Sequence, residues 1–525
     1  MLATLISRAQ FGMDAPEVRV DVHVGPGLPA MAIVGLAETA VKESRDRVRS
    51  AIVTAQFSFP AGRITVNLAP ADLPKDGGRF DLPIAVALLI ASGQLTGTAL
   101  PDCELYGELS LGGEIRAVRG VLPATRAATE HNRRVILPRQ NLEEAQLVQG
   151  ARIAPVRHLN EVAAHLRGQE PLEFVTDRRV PEVQKSNPDL AEIRGQHHPR
   201  RALEIAAAGH HSVLLVGSPG TGKSMLSKRL PGILPPLSDQ EALEVATIAS
   251  AAGQMFQAEN WRCRPFRSPH HTCTTVSLVG GGSLPKPGEI TLAHNGVLFL
   301  DELPEFSRVA LEGLREPLEN GCITISRAAH HADYPARFQL IAAMNPCPCG
   351  FLGDATARCR CTLAQIQRYH ARISGPLLDR LDLHVVMENV GPAQLRVSEE
   401  RPETSAAVAA RVQVARKLQE ARQQMCNANL DNAGVERHCR VTPEGVDILE
   451  LALQRFGLSV RAYHRVLKVA RTVADLDGSD CITGAHISEA LLFRQLDQLN
   501  WGGRVDRSYA GGGGKLPSDQ SEVRH

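Results

Sequence analysis

The chain has 525 residues, 43% of them hydrophobic and 22% charged, with a formal net charge of +1. That length exceeds one ordinary core and implies about two to four domains of a soluble, globular protein. Near-neutral charge excludes a uniformly basic nucleic-acid binder, so any such site must be a local patch or be assembled from several subunits. The longest apolar run, Leu82 to Ser92, contains Pro83 and falls short of the ~20 residues of a membrane helix. The opening residues have only a brief apolar start before Arg8 and Gln10, so no secretion signal and no membrane partner are expected, and the location expected is cytoplasmic. The 11 cysteines then read as reduced thiols or metal ligands rather than disulfides.

In chain order, Val18 to Val24 alternates as a strand does, and Ala37 to Ala55 places Val41, Ile52 and Val53 among charges as an amphipathic helix does. Short strands and helices alternate to about Leu166, giving a first α/β domain over residues 1–170. Pro171, Pro181 and Pro188 mark a linker over 171–189. Residues 190–390 have the strand–loop–helix rhythm of an α/β nucleotide-binding domain. Residues 391–505 are rich in Ala, Arg, Leu and Glu at helical spacing, which predicts a helical lid. Residues 506–525, with Gly511 to Gly514 in a row, read as a disordered tail.

The chemistry concentrates in the second domain. Ser212 to Val216 is a short apolar, β-rich run, and Gly217-Ser218-Pro219-Gly220-Thr221-Gly222-Lys223-Ser224 follows at once. A helix is expected from Met225 to Leu230. This is G-x-x-x-x-G-K-S between a strand and a helix, the context in which backbone N–H groups and a helix N-terminus cradle the phosphates of ATP. Lys223 reaches the β- and γ-phosphates and the Ser224 hydroxyl binds Mg²⁺. A second apolar run, Gly296 to Leu300, ends in Asp301-Glu302. Asp301 suits the Mg²⁺ ion, and Glu302 suits the polarisation of an attacking water. Leu340 to Met344 is a third such run, ending at Asn345. An amide there can orient that water, while an Asn345-Pro346 turn accounts for the residue too. Arg380 lies between Asp379 and Asp382, so a surface ion pair suits it, and Arg461 at the start of a lid helix suits a solvated charge.

Taken together these pieces resemble the AAA+ ATPases of the magnesium-chelatase-like branch, and most closely the bacterial YifB/ComM family. Further marks are Gly195-Gln196, Arg201 to Gly209, Phe266 to Thr272, Pro287 to Ile290 and Asn345 to Gly350. The resemblance implies that Asn345 is sensor 1, Arg380 an arginine finger acting on a neighbouring subunit and Arg461 sensor 2. It also implies a homo-oligomeric, hexameric ring that drives branch migration of DNA in natural transformation or recombination. A chelatase-type ATPase subunit and a non-motor regulatory or chaperone ATPase remain the alternatives. The first domain resembles the proteolytic domain of Lon proteases, through Pro74-Lys75-Asp76-Gly77 and through Tyr106 to Ala128. Arg79 stands at the serine position and Leu122 at the lysine position, so nucleophile and base are both missing and no peptidase activity is expected.

Cys347-Pro348-Cys349 and Cys359-Arg360-Cys361 form two C-x-C pairs nine residues apart. Four thiolates could close a tetrahedral Zn²⁺ site, and four unliganded thiols are the alternative. Cys322 to Ile325 and Ala336 to Leu340 read as two strands, with Ser326 to Pro335 as the turn between them. The resemblance implies that such a hairpin points into the central pore. There Arg327, His330 and His331 would meet the phosphates of single-stranded or branched DNA, and Tyr334 or a histidine would stack on a base. Arg267 and Lys286 lie in a second candidate pore element, Phe266 to Glu289. Exposed loops with ordinary solvated charges account for both segments as well.

Overall fold

In the first domain, alternation decides the strands. Val18, Val20 and Val22 are fully buried while their neighbours are more exposed, the period of two that a half-buried strand needs. A computed structural model describes the chain except for residues 36–42, 76, 98–99, 101, 181–186, 283–285, 328–329, 354–357, 390–401, 457–458 and 495–525. The side chains of 326, 327, 330, 331 and 456 also lie outside that description.

The first domain contains β1 (Leu2–Arg8), β2 (Glu17–Gly25), β3 (Ala30–Val34), helix α1 (Ser44–Thr54), β4 (Arg63–Ala69) and α2 (Asp81–Ala91). Next come β5 (Cys103–Leu105), a short hairpin of β6 (Glu108–Leu109) and β7 (Ile115–Arg116), α3 (Val121–Glu130), β8 (Arg134–Pro138) and β9 (Ile153–Val156). Its sheet has the order β3-β4-β2-β1-β5-β8-β9 and mixes parallel with antiparallel pairs. The apolar run at Leu82 is α2, buried all round except near Ile90, which makes it a core helix. The expected helix over Ala37 to Ala55 is α1, and the part that includes Val41 lies outside the described residues.

The segment expected to be a linker is tied down at its start. Val175 bridges to Ile153, and Arg178 pairs with Asp239 at 3.1 Å. Residues 181–186 lie outside the described residues.

The second domain runs through α4 (His197–Gly209), β10 (Val213–Gly217), α5 (Lys223–Ser227), α6 (Asp239–Ala251), β11 (Phe266–Arg267), β12 (Gly280–Gly281), β13 (Lys286–Pro287) and β14 (Val297–Leu300). It continues with β15 (Cys322–Arg327), β16 (His330–Pro335), β17 (Gln339–Met344) and β18 (Leu383–Met387). Strands β10, β14 and β17 are buried at every position, as a parallel sheet covered on both faces requires. The parallel order is β11-β14-β17-β10-β18. Its three central strands therefore end side by side, at Gly217, Asp301 and Asn345. The crevice at the carboxyl ends of such strands is where α/β sheets take ligands.

Two expectations need correction. The helix after the phosphate loop is not continuous to Leu230: α5 stops at Ser227 and a second turn covers Leu230–Ile233. Pro231 has no N–H to give the Ser227 carbonyl, so the helix cannot run through. The pore hairpin is also displaced. Its second strand is β16, not Ala336 to Leu340, with register pairs Ile323↔Tyr334 and Ile325↔Ala332. Those four residues are buried and form the inner face of the hairpin. Tyr334 is only 1% exposed, so its ring is not available to stack on a base.

The lid comprises α7 (Ser405–Gln423), α8 (Asn432–His438), α9 (Pro443–Phe456), α10 (Val460–Leu476) and α11 (Gly484–Leu492). It docks on α4, where Arg411 pairs with Glu204 at 2.6 Å and Arg416 Nη2 donates to the Ala207 carbonyl at 2.6 Å. Ile205, Ala206, Val412, Val466 and Val473 share one core beneath these contacts. The start of the expected lid segment and the Gly-rich tail lie outside the described residues. The first domain docks on α6, where Ser250 bonds Glu144, Gln10 bonds the Ala251 carbonyl, and Val121 and Ala15 join one cluster with Leu237, Ala242 and Trp261. Among the described residues, no helix is long and apolar enough to cross a membrane.

Candidate nucleotide site

The loop after β10 is built to leave space in front of it. Gly220 and Gly222 adopt φ of +84° and +90°, and among the described residues nothing beyond the adjoining backbone lies within 4 Å of where a Cβ would sit on either. That left-handed backbone favours glycine, and the open space is what close approach of a phosphate needs. Ser218 is half-buried, Pro219 is exposed, and Thr221 is held by its hydroxyl donating to the Ser218 carbonyl at 2.9 Å.

Lys223 is 8% exposed. Its ammonium donates to the carbonyls of Gly217 at 2.6 Å and Ser218 at 3.0 Å, and to Asn345 Oδ1 at 3.2 Å. Burial lowers its pKa, and the Asp301 and Glu302 carboxylates partly offset that. Three neutral acceptors thus hold a cation with no carboxylate in hydrogen-bond contact, a group well suited to an arriving anion. The Ser224 hydroxyl donates to Asp301 Oδ2 at 2.6 Å. Together they offer the hard oxygen donors that Mg²⁺ prefers, one hydroxyl and one carboxylate.

Glu302 has φ +54°, a left-handed conformation uncommon for a residue with a Cβ. Its side chain is turned to His271, with Nδ1 to Oε2 at 2.9 Å. Asn345 follows β17, at the strand end where the sequence places it, and its Oδ1 accepts from Lys223. Lys223, Ser224, Asp301, Glu302 and Asn345 therefore surround one crevice.

Arg380 makes its polar contacts with residues other than those of that crevice. Arg380 is 7% exposed; it pairs with Glu319 and donates to the Pro376 carbonyl at 2.6 Å. Burial lowers its pKa, Glu319 acts against that, and the nearby charges of Arg315 and Arg461 lower it further. Arg461 is exposed, at the start of α10.

The four cysteines converge: the sulfur atoms of Cys347, Cys349, Cys359 and Cys361 all lie within 4.8 Å of one another. Burial works against the Cys349 thiolate, but the N–H groups of Phe351 and Arg360 and the thiols of Cys347 and Cys361 favour it, bringing its pKa down to about 6.

Among the candidate DNA contacts, Arg267 is tied to Glu289 by two bonds of 2.7 and 2.8 Å, while Lys286 is exposed on β13. Arg327 and His330 flank the hairpin turn, and their side chains, with that of His331, lie outside the described residues. In the first domain, Arg79 donates to the carbonyls of Arg8, at 3.1 Å, and Arg119, and Leu122 is buried. Asp76 lies outside the described residues.

Sequence reasoning missed two contacts at the crevice. His271 belongs to the Phe266 to Glu289 segment, read from the sequence as a second candidate pore element and not as a contact of Glu302. Gln196 donates to the Thr221 carbonyl at 3.3 Å and to that of Glu388 at 2.7 Å, bracing the loop. Gly195-Gln196 was a mark of the resemblance in the sequence, but the bracing role rests on a left-handed φ of +52° that a sequence does not display.

A P-loop after β10, which lies between β17 and β18 in a five-stranded parallel sheet, with an acidic pair and an amide at neighbouring strand ends and a helical lid behind, defines an AAA+ nucleotide-binding fold. The sequence model for "Magnesium chelatase, subunit ChlI" matches residues 189–395, that for "Subunit ChlI of Mg-chelatase" matches 20–141, and that for "Magnesium chelatase, subunit ChlI C-terminal" matches 402–494. The chain is 49% identical over 503 residues to the competence protein ComM of Haemophilus influenzae, covering 95% of this chain and 98% of that one. It is 48% identical over 501 residues to the uncharacterized protein YifB of Escherichia coli, covering 95% and 98%. A shorter stretch of 205 residues is 29% identical to the DNA replication licensing factor mcm6 of Dictyostelium discoideum, covering 39% of this chain and 20% of that one. The chain belongs to the ComM/YifB family of magnesium-chelatase-like AAA+ proteins, a family that implies ATP and Mg²⁺ as ligands.

Proposed function

We propose that the protein is an ATP-driven, ring-forming DNA motor, a hexameric helicase that promotes branch migration in natural transformation or recombination. The observation that carries this reading is the convergence of Lys223, Ser224, Asp301, Glu302 and Asn345 on one crevice. Lys223 and the backbone of residues 217–224 bind the phosphates. Ser224 and Asp301 hold Mg²⁺, which neutralises charge on the phosphates when bound. Glu302 accepts the proton of the attacking water once released from His271, and Asn345 orients that water. Arg380 acts as an arginine finger on the neighbouring subunit's nucleotide and Arg461 serves as sensor 2, which makes turnover a property of the ring.

The likeness to a competence protein and to a DNA replication licensing factor supports DNA as the partner. Arg327, His330, His331 and Lys286 are the groups offered to its backbone. Six copies around one channel make a basic ring from nearly neutral chains. Zn²⁺ at the four thiols completes the ligands, and the cytoplasm is the compartment of this reading. The names of the matching family models favour a second reading, an ATPase subunit for metal insertion. The two separate on DNA-stimulated ATP hydrolysis by the purified protein. Stimulation by single-stranded DNA that fades steeply with salt supports the motor, and turnover indifferent to DNA refutes it.

A further inference from the structure

The four-cysteine cluster lies against the nucleotide loop. Cys347 comes two residues after Asn345, the amide that meets Lys223. Gly350, one residue after Cys349, adopts φ +83°, and a Cβ there would come within 2.6 Å of Pro219 Cδ and 2.8 Å of Pro219 Cγ. The turn carrying Gly350 is closed by its N–H donating to the Cys347 carbonyl at 2.9 Å. On the other side, His370 Nε2 contacts the Pro346 carbonyl at 2.9 Å. The segment from Asn345 to Gly350 is thus wedged between the phosphate loop and the helix Leu363–His370.

The sulfur geometry fits a metal. Cys347 and Cys349 are 3.4 Å apart, Cys347 and Cys359 3.7 Å, and Cys349 and Cys359 3.6 Å. A tetrahedron of sulfurs at about 2.3 Å from zinc has edges of about 3.8 Å, close to these values, whereas a disulfide needs about 2.05 Å. Cys347 is buried and the other three are half-buried, so an ion could enter from solvent. Among the described residues no other group of histidine, cysteine and acidic side chains converges in this way.

We propose that Cys347, Cys349, Cys359 and Cys361 bind one Zn²⁺, and that the bound ion holds Asn345 and Gly350 against the phosphate loop, so that metal loading sets the rate of nucleotide turnover. Binding displaces the thiol protons and leaves a closed tetrathiolate site with no open position, so the ion acts by geometry and not by chemistry on the nucleotide. The coupling half of this proposal rests on the reading of Gly217–Ser224 as the ATP site.

The test uses the full chain purified without chelator. Metal analysis should find about one zinc per chain, and Co²⁺ exchanged into the site should give the intense sulfur-to-metal absorption of a tetrahedral thiolate. Cys359→Ser with Cys361→Ser removes the two ligands farther along the chain from Asn345. It should lower zinc content and ATP turnover each about tenfold or more. Gly350→Ala keeps all four thiols and should retain zinc and the cobalt spectrum, yet lose about tenfold in ATP affinity through the clash with Pro219. Zinc below a tenth of an equivalent in a chain with wild-type circular dichroism would overturn the site. Zinc present but turnover unchanged in the double variant, or ATP affinity unchanged in Gly350→Ala, would overturn the coupling. A wild-type chain that holds zinc but never binds ATP would refute the nucleotide reading and the coupling, while the cobalt spectrum would still uphold the metal site.

Discussion

Replacing Lys223 by methionine keeps the aliphatic stem and removes the charge, and the structure predicts two opposite effects. The ammonium is buried and held only by two carbonyls and the Asn345 amide, at 2.6, 3.0 and 3.2 Å. A gross Coulomb term of ~5 kcal/mol, for one charge pair at ~3 Å and an effective dielectric of ~20, is offset by the bonds the ammonium gives up on meeting a phosphate. The net value of a charged hydrogen bond, ~1.5–3 kcal/mol, is the better guide, and it corresponds to ~10–150-fold in ATP affinity. Turnover should fall further, to below ~1%, because charge builds on the transferring phosphoryl group. Stability without nucleotide should move the other way. Burial lowers the folded-state pKa of Lys223 below the ordinary value of 10.5, so the folded chain holds this proton less tightly than the unfolded chain. The penalty is full below the lowered value and vanishes as pH rises towards 10.5. The nucleotide-free variant should therefore melt no lower than wild type at neutral pH, and the wild type should gain on it as pH rises. Titration with a fluorescent ATP analogue, phosphate release and thermal melts with and without ATP·Mg²⁺ measure all of this. A variant that still turned over ATP, or one that lost stability in the absence of nucleotide, would refute the reasoning.

Four further outcomes are expected. Glu302→Gln should bind ATP as wild type does and hydrolyse it at least ~100-fold more slowly, whereas His271→Ala should free Glu302 and raise basal hydrolysis; phosphate release measures both, and normal turnover by Glu302→Gln rejects it as the base. Arg380→Ala should bind ATP yet lose ~10³-fold in turnover, and mixing it with Lys223→Ala chains should restore part of the rate in rings shown to mix. Changing Arg327, His330 and His331 together to alanine should leave ATP binding and assembly intact, weaken DNA binding in a filter or anisotropy assay, and flatten its salt dependence.

The residues of the crevice were legible where chemistry is contiguous. Gly217–Ser224 is one unbroken motif, and Asp301 and Asn345 each close a run of buried apolar residues, so strand ends could be read directly. What was not legible depends on pairing at a distance. The contact of His271 with Glu302 joins two loops that no periodicity links. The hairpin's second strand was misplaced because Ala336 to Leu340 looks more β-rich than His330–Pro335. Only the register with Ile323 and Ile325 shows that Ala332 and Tyr334 turn inward. The cysteine spacing left zinc and free thiols open, and convergence of the sulfurs emerged only with the fold. That Arg380 pairs with Glu319 and donates to the Pro376 carbonyl could not be inferred from its motif.

The most direct test of the central claim is branch migration of a synthetic four-stranded or three-stranded DNA junction by the purified protein. The account predicts strand exchange that requires ATP and Mg²⁺, continues beyond spontaneous drift, and stops in Glu302→Gln even though that variant still binds both ATP and DNA. ATP hydrolysis at a full rate on DNA, with no strand movement on any junction, would contradict it.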